Sequence, residues 1–295
     1  MLLYEDHKQT PVYSVAFSPD GSSFASGARD GSVFLRRATG ERHPVCEAGP
    51  DAHPIYTLGF NSDGSTVFVG GAGGWSGMRF DGKFWVKCEP SNVAPVTSLA
   101  LLDDRTLAVG VGDRVKTNAG KFELWDVPTG ERRTPLFTEP NGVRAVAVCP
   151  AKRTVAWVTG YHKVRVWEII KTKPIDFPQP KPCPSVAISP DGKQVAAAVD
   201  YSVKVYGLEK RQQRLELKGH KGQVSAVAFS PDGETIATGS WDQTVKLWDA
   251  ATGRERTTFR WPIGRVYCLA YAPDGLRLAA GGDGDRGSVV VWDME

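Results

Sequence analysis

Two residues of this chain have the chemical types that a general acid–base pair requires. His220 stands before an alternating apolar pattern, and Asp242 follows the next apolar segment. An imidazole beside a carboxylate can take up and release a proton near neutral pH. The same pair can instead satisfy two polar groups inside a packed core, so the choice depends on the elements that hold these residues.

Other catalytic and ligand-binding motifs suggest no mechanism. The sequence has no Gly-x-x-x-x-Gly-Lys-Ser/Thr phosphate loop, no Gly-x-Ser-x-Gly and no His-Glu-x-x-His. The glycine-rich run 70–74 opens no helix, and we interpret it as a bulged strand connection rather than a phosphate cradle. The five histidines lack the spacing of a zinc site, and no metal or cofactor is predicted. Asp283 and Asp285 are interpreted as turn residues, with weak calcium binding as the alternative.

The composition is typical of a soluble globular chain. Of 295 residues, 41% are hydrophobic and 23% are charged, and the net charge of +3 is too small to indicate a nucleic-acid partner. No run of about 18 apolar residues predicts a membrane span, and the first six residues do not resemble a secretory signal. The five cysteines are far apart and odd in number, which favours free thiols in a reducing compartment. We therefore expect a cytoplasmic protein.

An internal repeat of about 42 residues runs through the chain. Each unit contains an alternating strand, a Pro-Asp-Gly turn, a second strand, a short turn, a third strand, a Thr-Gly turn and a fourth strand. No segment keeps a helical apolar period for three turns, so no helix longer than one turn is predicted. Five turns are well formed and begin at Ser18, Asn61, Ser189, Ser230 and Ala272, and two degraded turns begin at Leu102 and Cys149.

Seven such units predict one radial fold. A unit of four short strands cannot bury its own apolar faces, so the copies must pack against one another. The fold class that follows is all-β, a seven-bladed β-propeller with four antiparallel strands in each blade. The units span approximately residues 7–47, 48–90, 91–136, 137–178, 179–217, 218–259 and 260–295, the last together with 1–6, in a single domain 1–295.

A tryptophan followed by an acid ends the third strand of four units. These dipeptides are Trp125-Asp126, Trp167-Glu168, Trp248-Asp249 and Trp292-Asp293, whereas Arg36-Arg37, Phe80-Asp81 and Tyr206-Gly207 stand in the other three. With these endings and turns in register, the chain resembles the WD-repeat propellers over essentially its whole length. The resemblance implies a non-catalytic scaffold that binds other proteins. It also implies that the N-terminal strand completes the last blade and closes the ring, because the last unit ends after its third strand.

The resemblance also bears on the two roles of the His–Asp pair. Members of the family bury a hydrogen-bonded tetrad in a blade, and this implies a structural role for the residues that match it. We therefore interpret the pair as bracing blade 6 and not as a catalytic acid and base. The matching residues are His220, Thr238, Asp242 and Trp248.

Two other blades match this tetrad only in part. Blade 1 has Ser26 and Asp30, but Arg36 replaces the tryptophan and His7 is one residue out of register. Blade 5 has Asp200 and no histidine, with Ala196 in place of the threonine. Both blades are predicted to be looser than blade 6.

Partners of the family bind the top face, where the first strands begin and the second strands turn into the third. By register, this face has three Arg, three Tyr and one Trp here, and these residue types are common in binding hot spots. No acid stands among the residues that the register selects, so we expect a protein or peptide partner with acidic or phosphorylated side chains. The predicted contact residues are Tyr13, Arg29, Tyr56, Arg144, Gln223, Trp241, Arg265 and Tyr267.

Two other functions stay open. A propeller enzyme with its site in the central channel would need His, Asp or Glu at the channel-facing strand starts, where Ala, Val and Ser prevail. Weak binding of a nucleic acid or a phosphorylated ligand is permitted by the arginines and disfavoured by the low net charge. The longer loops at 110–120 and 173–184 are further candidates for a site. We expect a monomer that does not bind membranes.

Overall fold

The chain folds into seven four-stranded antiparallel sheets. The computed structural model describes residues 1–7, 10–37, 53–78, 95–112, 120–133, 137–160, 162–284 and 289–294 in full, and the backbone alone at 42–46, 79, 84–88 and 134–136. The only helix in these described ranges is a 3-10 turn at Pro150–Lys152. The predicted all-β, seven-bladed propeller is therefore confirmed.

Strands are numbered in chain order, beginning with β1 (Leu2–Tyr4). Blade 1 contains β2 (Val12–Phe17), β3 (Ser23–Ala28), β4 (Val33–Arg37) and β5 (Arg42–Cys46). Blade 2 contains β6 (Ile55–Phe60), β7 (Thr66–Gly71), β8 (Gly74–Arg79) and β9 (Phe84–Cys88). Blade 3 contains β10 (Val96–Asp103), β11 (Thr106–Val111), β12 (Gly120–Asp126) and β13 (Glu131–Glu139).

The second half of the chain repeats this order. Blade 4 contains β14 (Val143–Cys149), β15 (Thr154–Thr159), β16 (Lys163–Glu168) and β17 (Ile175–Pro178). Blade 5 contains β18 (Val186–Ile188), β19 (Gln194–Val199), β20 (Ser202–Gly207) and β21 (Gln212–Lys218). Blade 6 contains β22 (Val224–Phe229), β23 (Thr235–Ser240), β24 (Thr244–Asp249) and β25 (Glu255–Arg260). Blade 7 contains β26 (Val266–Tyr271), β27 (Arg277–Gly282) and β28 (Val289–Asp293), and β1 pairs antiparallel with β28 as its fourth strand.

The Ser-Pro-Asp-Gly turns join first and second strands by a repeated set of hydrogen bonds. In blade 6, the Ser230 hydroxyl donates to Asp232 Oδ1 at 2.5 Å and accepts the backbone N–H of Thr235 at 2.9 Å. Asp232 also accepts the backbone N–H of Glu234 at 2.9 Å. Gly233 has a φ of 76°, which favours glycine. These turns therefore have the geometry that their sequence predicts.

The glycine-rich run 70–74 differs from its predicted form. Strands β7 and β8 pair without a register shift as far as Gly71 and Gly74. Ala72 and Gly73 therefore make a tight two-residue turn, and the prediction of a bulged connection is wrong. Gly74 has a φ of 99°, which lets the chain reverse in so few residues.

A β-bulge recurs near the start of the first strand in six blades. In blade 1 the register shifts between Val12 and Ser14, and in blade 7 between Val266 and Cys268. A bulge leaves one residue out of the ladder and re-aims its side chain. The residues placed in these bulges are Tyr13, Tyr56, Thr97, Arg144, Ser225 and Tyr267.

Adjacent blades approach closely where the second strand of one passes the first strand of the next. A methyl group on Gly239 would lie 2.5 Å from Val266 Cγ1 of the next blade, closer than real Cβ contacts come. Glycine is therefore needed for the approach and not for a turn. The same contact joins Gly27 to Ile55, Gly70 to Val96, Gly110 to Val143 and Gly281 to Val12.

Gly239→Ala should lower the free energy of unfolding by about 1–3 kcal/mol, because the added methyl overpacks the contact with Val266. Gly59→Ala is the matched control, since its methyl would meet nothing closer than 3.8 Å in β6. Urea denaturation of both variants measures the difference. Equal stability of the two variants would show that the close approach does not limit blade packing.

Candidate protein-interaction face

The predicted tetrad of blade 6 forms a continuous chain of hydrogen bonds. His220 Nδ1 lies 2.9 Å from Asp242 Oδ2, and His220 Nε2 lies 2.7 Å from Thr238 Oγ1. Trp248 Nε1 donates to the same threonine hydroxyl at 2.8 Å. Asp242 also accepts the backbone N–H of Lys221 at 2.8 Å. Each buried polar group in this chain has a partner, which stabilises the blade beneath the turn that carries Trp241.

The electrostatics of the pair agree with this bracing geometry. The His220 side chain is 1% exposed, and both of its ring nitrogens are engaged. Burial lowers the pKa of His220, and the hydrogen bond to Asp242 only partly opposes this shift. For Asp242, burial acts to raise the pKa, but hydrogen bonds from Thr244 and from the Lys221 N–H outweigh it and lower the pKa to about 2. The pair at neutral pH is therefore a neutral imidazole donating to a carboxylate.

Blades 4 and 5 fill the histidine position with other buried polar side chains. In blade 4, the Glu139 carboxylate accepts hydrogen bonds from Trp157 Nε1 and from Arg165, each at 2.7 Å. In blade 5, the Tyr206 hydroxyl donates to the Gln179 amide oxygen at 2.9 Å. Sequence reasoning missed both because they lie outside the family pattern. The signal that could have identified them is the number of residues between each side chain and the first-strand pattern that follows it.

In blade 1 the register offset of His7 does not displace its side chain. Its ring lies 2.8 Å from Ser26 Oγ and 2.7 Å from Ser32 Oγ, and His7 is buried as His220 is. The Ser32 hydroxyl donates to Asp30 at 2.6 Å, so a serine bridges the histidine and the aspartate. Arg36, at the tryptophan position, pairs with Asp6. The one-residue offset of His7 in the sequence therefore leaves its ring within the hydrogen-bond network of blade 1.

In blade 5 the assignment of Asp200 and Ala196 needs correction. The strand pairing places Ala197 at the position that Thr238 has in blade 6. Asp200 lies in the tight turn that follows β19, with a left-handed φ of 55°, and pairs with Lys181. It therefore stabilises a turn and takes no part in a tetrad.

Four of the predicted contact residues form one aromatic band across blades 6, 7, 1 and 2. The ring centroids of Trp241 and Tyr267 are 6.4 Å apart, those of Tyr267 and Tyr13 are 5.4 Å apart, and those of Tyr13 and Tyr56 are 6.0 Å apart. Trp241 is 42% exposed, and the three tyrosines are half-buried. The three tyrosines are bulge residues, so the bulges direct them toward one another at the top face. We call these four residues the aromatic band.

Arg265 stacks on one end of the aromatic band. Its guanidinium lies 5.5 Å from the Trp241 ring and 5.9 Å from the Tyr267 ring, and it pairs with Asp283 at 2.7 Å. The Tyr267 hydroxyl donates to the same carboxylate at 3.1 Å. Burial and the neighbouring carboxylate raise the pKa of Tyr267 to about 12. Cation–π contacts and the ion pair thus hold Arg265 in place, while half of its side chain stays exposed.

Asp283 is the residue of this face that sequence reasoning missed. The sequence suggested a turn residue or a weak calcium ligand, and Asp285, its proposed companion, lies outside the described residues. In the structure the Asp283 carboxylate is occupied by Arg265 and Tyr267. Asp283 directly follows the second strand of blade 7, as Trp241 does in blade 6. The position directly after the second-strand pattern of blade 7 would therefore have identified Asp283 as a residue of this face.

The three other predicted contact residues differ in their relation to the band. The Gln223 carbonyl accepts the Trp241 N–H at 2.9 Å and so supports the band from below. Arg29 is exposed, and Arg144 is half-buried with a buried Nε that has no hydrogen-bond partner among the described residues. Within that part of the chain, neither arginine side chain makes a hydrogen bond or a cation–π contact with the band.

Side chains that can bind a metal ion do not cluster in the described ranges. There, no group of three or more His, Cys, Asp or Glu side chains could hold a metal ion. No helix in the same ranges is long and apolar enough to cross a membrane. Cys149, Cys183 and Cys268 are free thiols, and burial raises the pKa of Cys183 to about 12. The side chains of Cys46 and Cys88 lie outside the described residues.

Comparison with known families agrees with the repeat architecture. The family model described as "WD domain, G-beta repeat" matches residues 2–36, 211–249 and 253–293. These three segments of the chain are WD repeats. Members of this family are generally non-catalytic interaction scaffolds.

Three curated relatives share parts of this WD-repeat chain. Telomerase protein component 1 of Mus musculus is 27% identical over 237 residues, which are 78% of this chain and 9% of the relative. Small ribosomal subunit protein RACK1y of Oryza sativa subsp. japonica is 48% identical over 50 residues, 17% of this chain and 15% of the relative. Guanine nucleotide-binding protein subunit beta of Schizosaccharomyces pombe is 35% identical over 66 residues, 22% of each chain. The chain thus covers less than a quarter of the length of each relative.

His220→Gln should flatten the pH dependence of stability of this WD-repeat protein. Because the pKa of His220 is lowered in the folded state, the unfolded state takes up the proton more readily below pH ~6.5. The wild-type free energy of unfolding should therefore fall with decreasing pH by an extra amount of at most about 1.4 kcal/mol per pH unit. Urea denaturation between pH 7.5 and 5 measures both proteins. Parallel curves would contradict a neutral, buried His220.

Proposed function

We propose that this WD-repeat propeller is a non-catalytic protein-interaction module and that the aromatic band is its partner-binding surface. The observation that carries the proposal is the continuous contact of Trp241, Tyr267, Tyr13 and Tyr56 across four blades. A single exposed aromatic side chain is common on any protein surface. A row of four, with an exposed Trp at one end, is the composition of a binding hot spot.

The band is also rigid before any partner arrives. Each tyrosine contacts a neighbouring ring, and Arg265 covers both Trp241 and Tyr267. Side chains that are already ordered lose little conformational entropy on binding. The exposed part of Trp241 can therefore bury apolar area against a partner with a small entropic cost.

The partner that fits this surface is a protein or peptide with an acidic or phosphorylated side chain near an apolar one. Arg265 has about half of its side chain exposed beside the band, and its guanidinium can fork onto a carboxylate or phosphate. Asp283 already accepts from that guanidinium, so an incoming anion competes with an internal one. We infer that apolar contact with the band supplies most of the affinity and that Arg265 adds selectivity.

Trp241→Ala should abolish binding of the partner, whereas Trp261→Ala should leave binding unchanged. The two tryptophans are similarly exposed, at 42% and 38%, but Trp261 lies in the loop before β26 and outside the aromatic band. Immobilised wild-type protein and both variants are used for affinity capture from native lysate, with quantitative mass spectrometry. A protein retained by wild type and Trp261→Ala but reduced at least about tenfold by Trp241→Ala supports the band. Equal retention by all three proteins would refute it.

Asp283→Asn should strengthen binding of an acidic or phosphorylated partner. The substitution removes the competing charge from Arg265 and retains an oxygen that accepts from it. The affinity should rise by about threefold, equivalent to the ~0.7 kcal/mol of an exposed ion pair. Isothermal titration of the captured partner measures this change. Unchanged or weaker binding would show that Arg265 acts only by stacking on Trp241.

A further inference from the structure

A repeated ionic contact lies on the bottom face, where first strands turn into second strands and third strands into fourth. In blade 6, Arg256 of the fourth strand pairs with Asp249 at the end of the third strand, at 2.6 Å. A second nitrogen of Arg256 donates to Thr235 Oγ1, at the start of the second strand, at 3.2 Å. One aspartate thus anchors an arginine that connects three strands. Blade 3 makes the same contact with Arg133, Asp126 and Thr106.

Blade 5 has this arrangement without the aspartate. By strand pairing, Gly207 takes the place of Asp249, and Gln194 takes the place of Thr235. Arg214 falls in the same fourth-strand bulge as the blade 6 arginine. Within the described residues, Arg214 has no ion pair or hydrogen bond, and Gln194 Oε1 is buried without a hydrogen-bond partner. Blade 5 therefore retains a donor in Arg214 and an acceptor in Gln194, but it lacks the carboxylate that Asp249 supplies in blade 6.

The position of the missing carboxylate opens into a cleft of about 430 Å³. A methyl group on Gly207 would lie 3.1 Å from Arg214 Cδ, so the arginine side chain lies directly over the position where blade 6 has its aspartate. Three cations and two carboxylates line the cleft, which leaves an excess of one positive charge. One of the carboxylates, Asp191, already accepts hydrogen bonds from Ser189 and from the Lys193 N–H. The lining charged residues are Lys193, Lys210, Arg214, Asp191 and Glu209.

We propose that this cleft binds the carboxylate of an aspartate or glutamate side chain from an acidic peptide segment of a partner protein. The carboxylate takes the role in blade 5 that Asp249 has in blade 6, and Arg214 donates to it. Gln194 lines the same cleft, and its side-chain amide can turn its oxygen toward a backbone N–H of the peptide, a donor that a small anion lacks. Because both groups must be satisfied, the cleft selects an acidic peptide over free carboxylate or phosphate. The cleft lies on the face opposite the aromatic band and does not depend on it.

The test uses two variants, one that fills the site with a carboxylate and one that removes its positive charge. Gly207→Asp supplies the missing carboxylate from the protein itself and should raise the melting temperature while blocking the cleft. Arg214→Gln removes the charge from an exposed side chain, which should leave the fold intact. Random peptides displayed without free termini are selected on the wild-type protein, with counter-selection on Gly207→Asp.

Selected peptides should share one Asp or Glu, and their affinity is then measured by fluorescence polarisation. Binding should weaken at least about tenfold with Gly207→Asp, with Arg214→Gln, and when the shared peptide acid is replaced by its amide. Trp241→Ala should bind the peptides as wild type does, so failure of the aromatic band and failure of the cleft are distinguishable. Millimolar inorganic phosphate and acetate serve as anion competitors, and neither should displace the peptide.

Any of four results would overturn the proposal. The first is that no peptide is enriched over the counter-selection, and the second is that the enriched peptides share no acid. The third is that Arg214→Gln binds them with wild-type affinity. The fourth is displacement by phosphate or acetate, which would show an adventitious ion site only.

Discussion

The close approach of each second strand to the first strand of the next blade is the contact on which the rest of the structure depends. At Gly239 the Val266 side chain of the next blade lies so near the backbone that no side chain fits on the glycine. The first strands are therefore held around the central channel, and their opening residues come together at one face. Only because of this closeness can a tyrosine of blade 7 touch a tyrosine of blade 1. The aromatic band is a consequence of blade packing, and its residues contribute little to the core themselves.

The buried polar brace is less strict than this packing. Blade 6 uses His220, blade 4 uses Glu139 and blade 5 uses Gln179 at the same place. A repeat architecture tolerates this variety because the physical requirement is a satisfied donor and acceptor, and several side chains meet it. The departures from the consensus are therefore of two kinds. Some substitute one satisfied group for another, and some leave a group without a partner.

The two arginines of the candidate surfaces illustrate that difference. Arg265 on the top face has an internal carboxylate, Asp283, and two aromatic rings against it. Its charge is largely balanced, so it can add selectivity with little gain in affinity. Arg214 on the bottom face lies above Gly207, and its family-typical aspartate is absent there. An arginine that is positioned but unpaired has more to gain from an external carboxylate, since no internal bond must be broken first.

Much of this architecture follows from residue order alone. The Pro-Asp-Gly turns, the alternating strands and the spacing of the repeats predict seven four-stranded blades, because turn chemistry and strand periodicity are local properties. The tetrad of blade 6 and the identities of the aromatic contact residues were predicted from the family resemblance.

Only the tertiary structure decided which of these residues contact one another. The contact of Tyr13 with Tyr267 joins opposite ends of the chain, and the pairing of Asp283 with Arg265 depends on how two loops face each other. The vacancy beside Arg214 is visible only once strand register aligns Gly207 with Asp249, because an absent partner leaves no motif in a sequence.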